Sequence, residues 1–198
     1  MSLKFLHLHL HGLIRSNSLE LGRDSDTGGQ TQYVLELVKS LANTLEVDQV
    51  DLVTRLINDC KIDSSYSKEQ EFIEPGAQIL RFQFGPNKYL RKELLWPYLD
   101  ELTKNLIQYY QKKENKPSCI HAHYADAGYV GVRLSQALKV PFIFTGHSLG
   151  REKKRKLQEA GLKINQIEKL YCINKRINAE EEALKFADIV VTSTKQES

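Results

Sequence analysis

Paired glycines at residues 28 and 29 stand directly before a run with helical periodicity, and that placement is one at which a protein backbone can meet an anion. Within residues 21–30 (LGRDSDTGGQ), Asp26 and Thr27 are helix N-cap residue types, and Gly28 and Gly29 carry no Cβ to hold a ligand away from the main chain. A helix is expected to start near Gln30, and the N–H groups of such a start favour a phosphate or a developing negative charge. Gly22, Gly28 and Gly29 do not have the G-x-G-x-x-G spacing of a dinucleotide site, and no Lys-Ser/Thr pair follows them as in a P-loop. Spacing alone leaves two readings open, an anion site and an ordinary glycine-rich loop between strand and helix.

Other residue types with chemical potential are scattered along the chain. His7, His9 and His11 alternate through residues 3–11, so a strand would put all three on one side. No carboxylate or cysteine beside them in sequence completes a metal set, and no metal is expected. Residues 88–98 mix Lys88, Arg91 and Lys92 with Tyr89, Trp96 and Tyr98. Cations at a helix start are mildly unfavourable because the helix dipole is already positive there, so they are either plain surface charges or groups that meet an anionic ligand. Two further turns, residues 124–128 (YADAG) and 146–150 (GHSLG), combine small residues with a carboxylate and a histidine. Glu180, Glu181 and Glu182 are consecutive, so on a helix they diverge and form no single acidic site; they are expected to be solvated.

The elements that must position these groups follow from periodicity. Residues 3–10 alternate as a strand; Tyr33, Val34, Leu37, Val38, Leu41 and Leu45 recur at helical spacing, predicting a helix over 30–45. Residues 50–54 (VDLVT) form a short buried strand, 55–74 a polar loop, and 79–84 (ILRFQF) the next strand. A long helix is expected over 93–112, a strand over 119–123 (CIHAH), a turn over 124–128, a helix over 129–138 and a strand over 140–145. Residues 157–168 read as polar helix or loop, 174–186 as a helix and 189–194 as a last strand. Repeated alternation of strand and helix argues for an α/β fold with a Rossmann-like, doubly wound parallel sheet. Ligands of such sheets lie beyond the carboxyl ends of the strands, where the turns at 28–29, 124–128 and 146–150 are expected to converge.

Composition sets the outer limits. The chain has 198 residues, 41% hydrophobic and 27% charged, enough for one core and typical of globular proteins. No apolar run approaches the roughly 20 residues of a membrane span, and the N-terminus lacks the pattern of a secretory signal, so no membrane partner and a cytoplasmic location are expected. Cys60, Cys119 and Cys172 fit neither a disulfide framework nor a zinc pattern and read as free thiols. A net charge of +3 is too small to argue for nucleic acid, and the basic run at 151–156 (REKKRK) reads as a solvated helix face.

With these residues placed, the chain resembles the N-terminal domain of the sucrose-phosphate synthase family, retaining glycosyltransferases of the two-domain GT-B type. The resemblance runs over nearly the whole chain. It is carried by residues 11–15 (HGLIR), 19–30 (LELGRDSDTGGQ), 96–99 (WPYL), 123–126 (HYAD), 144–150 (FTGHSLG) and 192–194 (TST). The segment 26–30 alone would indicate only the wider group that includes sucrose synthases. Its combination with FTGHSLG and with the basic KYLRK segment favours the phosphate synthases.

The resemblance implies transfer of glucose from UDP-glucose to fructose 6-phosphate with retention of anomeric configuration and without a cofactor or metal. By matching position Gly28 and Gly29 would face the donor phosphates and Gln30 the acceptor. Lys88 and Lys153 would pair with the phosphate of fructose 6-phosphate, with Tyr124 and Arg176 as further acceptor contacts. His147 would contact the transferred glucose at the reaction centre. The resemblance also implies a C-terminal nucleotide-sugar domain that these 198 residues do not include, so the expectation is a single acceptor-binding domain that catalyses little alone. The alternatives are a sucrose synthase-like transferase and a non-catalytic domain that binds or senses sugar phosphates. The missing dinucleotide fingerprint disfavours a dehydrogenase.

Overall fold

The computed structural model describes residues 3–111 and 116–192. Strands β1 (Leu3–Leu8), β2 (Val47–Arg55), β3 (Gln70–Glu74), β4 (Ala77–Phe82), β5 (Cys119–His123), β6 (Phe142–Thr145) and β7 (Ile189–Val191) form a single sheet in the order β3-β4-β2-β1-β5-β6-β7. Every pairing is parallel except that of β3 with β4. Helices α1 (Gly29–Ala42), α2 (Leu99–Gln111), α3 (Tyr124–Leu138), α4 (Gly150–Glu159), α5 (Ile164–Tyr171) and α6 (Ile173–Phe186) provide the crossovers and cover the sheet. This is a Rossmann-like, doubly wound and almost wholly parallel sheet, as the strand and helix alternation predicts.

The core lies on both faces of the central strands, because crossover helices cover both. On one face Leu6, Leu8, Ile120, Phe142 and Phe144 pack with Leu102 and Leu106 of α2 and Val130 and Leu134 of α3. On the other, Val34, Leu35 and Val38 of α1 pack on Val50, Leu52 and Ile79. Two glycines let α3 lie close to the sheet: a Cβ on Gly131 would sit 2.5 Å from the Phe142 ring, and one on Gly128 would sit 2.7 Å from Phe144. No helix among the described residues is long and apolar enough to cross a membrane. All three cysteines are free thiols.

Several boundaries differ from the periodicity reading, each for a local reason. The polar loop expected over 55–74 contains a 3-10 turn (Ser64–Ser67) and the edge strand β3, which turns back through Gly76 to pair antiparallel with β4. Its sequence, QEFIE, hides this because an edge strand exposes one side, and Phe72 is 74% exposed. The single helix expected over 93–112 is two 3-10 turns, Lys92–Leu94 and Trp96–Tyr98, followed by α2. Pro97 has no N–H to give and starts the helical run instead of continuing one. The turn expected over 124–128 is already helix: Tyr124, at φ +78°, reverses the chain in one residue and α3 begins there. The basic run at 151–156 lies within α4, where Arg155 pairs with Glu152 at 2.6 Å and Glu159 at 2.5 Å. The last strand ends at Val191; Ser193 and Thr194 of the TST segment, and Lys112, lie outside the described residues.

Gly12 holds the loop between β1 and α1 in place. Its φ is +76°, and a Cβ there would lie 2.3 Å from the carbonyl oxygen of Asp26. Both the conformation and the space demand glycine, so Gly12→Ala is expected to lower the unfolding free energy by roughly 3 kcal/mol. A urea titration checks this; a loss below about 1 kcal/mol would mean that the loop yields to the methyl group.

Candidate functional site

Strand order reverses between β1 and β5, since the chain builds outward to β2 and β4 on one side and to β6 and β7 on the other. Open α/β sheets form their ligand crevice beyond the carboxyl ends of the strands at such a point. The loop after β1, the junction of β5 with α3 and the loop after β6 all reach it.

All six histidines of the chain gather here. His7 and His9 come from β1 and its end, His11 from the following loop, His121 and His123 from β5, and His147 from the loop after β6. His7 Nδ1 lies 3.0 Å from His123 Nε2, and His123 Nδ1 lies 3.1 Å from His147 Nε2. His121 Nε2 lies 2.8 Å from the Thr145 hydroxyl. His9 is held by Gln30, 3.2 Å from its Nδ1, and by Thr31, 3.3 Å from its Nε2. His11 Nδ1 meets the Asp126 carboxylate at 2.8 Å, so the fold supplies from α3 the carboxylate that the sequence around β1 lacks. Burial, reinforced by neighbouring histidines, pushes His7, His9 and His123 well below the usual imidazole value and His121 down to about 4. These rings are neutral at neutral pH.

His7, His121 and His123 each offer a nitrogen within 4.8 Å of the others, the spacing of a loose metal set. The nitrogens are already engaged, however: both of His123 with other histidines, one of His7 with His123 and one of His121 with Thr145. The cluster is a hydrogen-bonded network as it stands.

The glycine pair forms the near wall of the crevice. Gly28 is the N-cap of α1, whose first turn has no side-chain cap and no acidic residue. A Cβ on Gly28 or Gly29 would meet nothing within 4 Å, so open space lies beside the main chain at both glycines. Asp26 and Thr27 do not cap this helix, contrary to their residue types. Thr27 Oγ1 instead accepts the Leu13 N–H at 3.0 Å, and Asp26 accepts the Lys92 N–H at 2.8 Å and pairs with the Lys92 ammonium. Tyr33, counted with the apolar stripe of α1, is turned to the crevice and meets the His147 ring edge-on at 5.3 Å.

A narrow cleft opens beside Tyr124, and three cations from three elements reach it, Lys92, Lys153 of α4 and Arg176 of α6, along with the carboxylates Glu93 and Asp126. Trp96 and Tyr171 form its apolar walls. Lys92 is tied to Asp26, whereas Lys153 has no carboxylate partner among the described residues and lies 4.0 Å from the centre of the Tyr171 ring. Burial, then Arg176 and Lys92, lowers the Lys153 ammonium below its ordinary value. Arg176 lies 4.5 Å over the Tyr124 ring, donates to Glu180 at 2.7 Å and to the Ser148 carbonyl at 2.8 Å. Glu180 is therefore not solvated as expected from sequence. It is 3% exposed, accepts the Gly150 N–H at 2.6 Å, and with Arg176 clamps the loop that carries His147. Its neighbours diverge as expected, Glu181 to Arg151 and Glu182 to Arg133.

The sequence-derived residues thus fall into groups. Tyr124, Lys153 and Arg176 line one cleft. Gly28, Gly29 and Gln30 stand at the α1 start, and His147 joins the histidine network. Lys88 is exposed and its carbonyl accepts from Arg55 at 2.9 Å, while Lys92 of the same basic segment lines the cleft. Lys92 was visible only as one of several cations. Its distinguishing partner, Asp26, is distant in sequence. The alternating histidines of residues 119–123 (CIHAH), matching those of β1, were the available signal for the network.

Asp26 also sets a pH dependence. Burial raises its carboxyl, but the two hydrogen bonds and the charge of Lys92 outweigh burial and the net shift is downward. A depressed carboxylate adds stability above the unfolded value near 3.9, and that stability is lost as pH falls through the lower folded value. Asp26→Asn is expected to be less stable than the parent at about pH 7 and to match it near pH 2. Urea midpoints at both values check this, and a gap that does not change with pH would contradict it.

The model of the sucrose synthase first GT-B domain matches residues 3–198. A probable sucrose-phosphate synthase 2 of Arabidopsis thaliana is 43% identical over 216 aligned positions, covering 96% of this chain and 21% of the relative. A probable sucrose-phosphate synthase of Vicia faba is 44% identical over 218 positions, with the same shares covered. The chain therefore spans about a fifth of the length of the curated relatives it matches. Among solved structures, a sucrose-phosphate synthase of Thermosynechococcus elongatus superposes with a TM-score of 0.77 at 26% identity, over 98% of this chain and 43% of that one.

Proposed function

We propose, given that this chain belongs to the sucrose synthase first GT-B domain family, which sucrose-phosphate synthases share, that it is the acceptor-binding half of a sucrose-phosphate synthase. The reaction is transfer of glucose from UDP-glucose to fructose 6-phosphate, giving sucrose 6-phosphate with the anomeric configuration retained. The observation that carries this reading is the cleft that gathers Lys92, Lys153 and Arg176 from three separate elements. A sugar phosphate carries close to two negative charges at neutral pH. Converging cations, one of them without a carboxylate of its own among the described residues, suit that charge through short, charge-assisted hydrogen bonds.

The phosphate of the acceptor lies among Lys92, Lys153 and Arg176, and the fructose ring extends past Tyr124 toward Gln30. Lys92 takes here the part that sequence matching gave to Lys88. The diphosphate of UDP-glucose faces Gly28 and Gly29, where the uncapped N–H groups of α1 stabilise charge as the glycosidic bond breaks. His147 contacts the transferred glucose. With no enzymic nucleophile required, the transfer runs on positioning and electrostatic stabilisation. A C-terminal GT-B domain holds most of the nucleotide sugar. UDP-glucose is a substrate, and no resident cofactor enters the scheme. Free thiols and small net charge favour a cytoplasmic setting.

The test is an assay of this chain joined to its donor-binding half, with UDP-glucose and either fructose 6-phosphate or fructose. Sucrose 6-phosphate with an α-glucosyl linkage, and little product from fructose, is the expected result. Equal use of fructose would favour a sucrose synthase-like transferase. Binding of fructose 6-phosphate without any transfer would leave a sugar-phosphate sensor.

A further inference from the structure

The histidine network has a direction, and that direction fixes which nitrogen of His147 carries its proton. His123 is the middle member: its Nε2 lies 3.0 Å from His7 Nδ1 and its Nδ1 lies 3.1 Å from His147 Nε2. A neutral imidazole has one N–H and one lone pair, so His123 donates one of these bonds and accepts the other. Only two arrangements exist. In the first, His7 Nδ1–H donates to His123 Nε2, and His123 Nδ1–H donates to His147 Nε2. In the second, every proton is reversed, and His7 then carries its proton on Nε2.

His7 Nε2 decides between them. His7 is fully buried, and its Nε2 has no hydrogen-bond partner among the described residues. A buried N–H without an acceptor costs about 1–3 kcal/mol, and orphaned donors are rarer in folded proteins than under-used acceptors. The reversed arrangement puts an N–H at that position, whereas the first puts only a lone pair there. Burial keeps His7 and His123 neutral, so neither escapes the choice by taking a second proton.

We infer that His123, oriented against His7, is a positioning residue that holds His147 as the Nδ1–H tautomer, with Nε2 as acceptor inside the network. This is the minor tautomer of a histidine side chain in water, so the protein must impose it. Packing assists: the His7 and His123 rings stack at 5.3 Å with an interplanar angle of 13°, and Tyr33 stands edge-on to both His123 and His147. The left-handed conformation of His147, φ +59°, and the Arg176–Glu180 clamp on its loop fix the ring from the other side. The value of this to the reaction rests on the reading of His147 as a contact to the transferred glucose: the network leaves that contact an Nδ1–H donor to a sugar oxygen. The tautomer itself does not depend on that reading.

The test is nitrogen-15 NMR of histidine-labelled protein at neutral pH, where the ring shifts show which nitrogen is protonated. Protonated Nδ1 and bare Nε2 are expected at His7, His123 and His147 alike. A His147 ring protonated on Nε2 overturns the inference, whatever the enzyme's activity. His123→Asn, whose amide N–H can replace the Nδ1 donor, should keep the Nδ1–H form at His147, while His123→Leu should release it to the usual Nε2–H form. His7→Leu leaves His123 Nε2 without a partner, where a lone pair costs less than an N–H, and should leave the His147 tautomer unchanged. A His147 tautomer unchanged in His123→Leu, or reversed in His7→Leu, overturns the inference. In the transfer assay His123→Leu should lower kcat about 10-fold with KM for fructose 6-phosphate within about 2-fold, and His123→Asn should restore kcat. Loss of kcat in both His123 variants with the tautomer unchanged would assign the effect to packing and contradict a positioning role.

Discussion

Lys153→Ala is expected to weaken fructose 6-phosphate binding by about 10- to 100-fold and to leave fructose binding within about 2-fold. The expected loss corresponds to removal of a charge-assisted hydrogen bond, roughly 1.5–3 kcal/mol. The same substitution should not lower folding stability. Folding depresses the Lys153 pKa through burial and through two neighbouring cations, so the charged form is disfavoured in the native state. Removing that cation relieves repulsion between it, Arg176 and Lys92. Lower stability together with equal losses for both sugars would make Lys153 a structural residue. Lys88→Ala is the comparison: exposed and away from the cleft, Lys88 should leave fructose 6-phosphate affinity within about 2-fold. A loss as large as that of Lys153→Ala would return the phosphate contact to Lys88. Lys92→Ala is a poorer probe, since it strands the buried Asp26 carboxylate without its partner.

His147→Ala, in the chain joined to its donor-binding half, should reduce kcat by about 100- to 1,000-fold while acceptor affinity changes little. The magnitude is that of deleting one preorganised donor at a centre of developing charge. In the proposed arrangement the acceptor phosphate is held by Lys92, Lys153 and Arg176, not by His147. Steady-state kinetics with separate titration of fructose 6-phosphate checks the split. Unchanged kcat would remove His147 from the reaction centre, and a large loss of acceptor affinity would place it in the acceptor site instead.

Much of the fold was legible in the sequence because parallel strands buried on both faces leave plain apolar runs, and β5 falls where residues 119–123 predict it. The edge strand β3 was not, since half-exposed QEFIE lacks that signature. The start of α3 was hidden because a tyrosine at positive φ makes the reversal that sequence assigns to glycine. At the site, the glycine pair and the histidines were legible as residue types. Their partners were not: Asp126 for His11, Lys92 for Asp26 and Glu180 for Gly150 are distant in sequence, and Glu180, which also pairs with Arg176 one helical turn away, looks solvated beside two other glutamates. The distinction between Lys88 and Lys92, four residues apart on the same basic segment, likewise depends on which one the 3-10 turn directs inward.

Whether this domain carries the acceptor site and reads its phosphate is decided by a calorimetric titration of the chain with fructose 6-phosphate, with fructose and UDP-glucose as comparisons. Saturable binding of fructose 6-phosphate is expected, with fructose and UDP-glucose each at least about 10-fold weaker. Fructose binding as tightly as its phosphate, or UDP-glucose as the sole ligand, would contradict it.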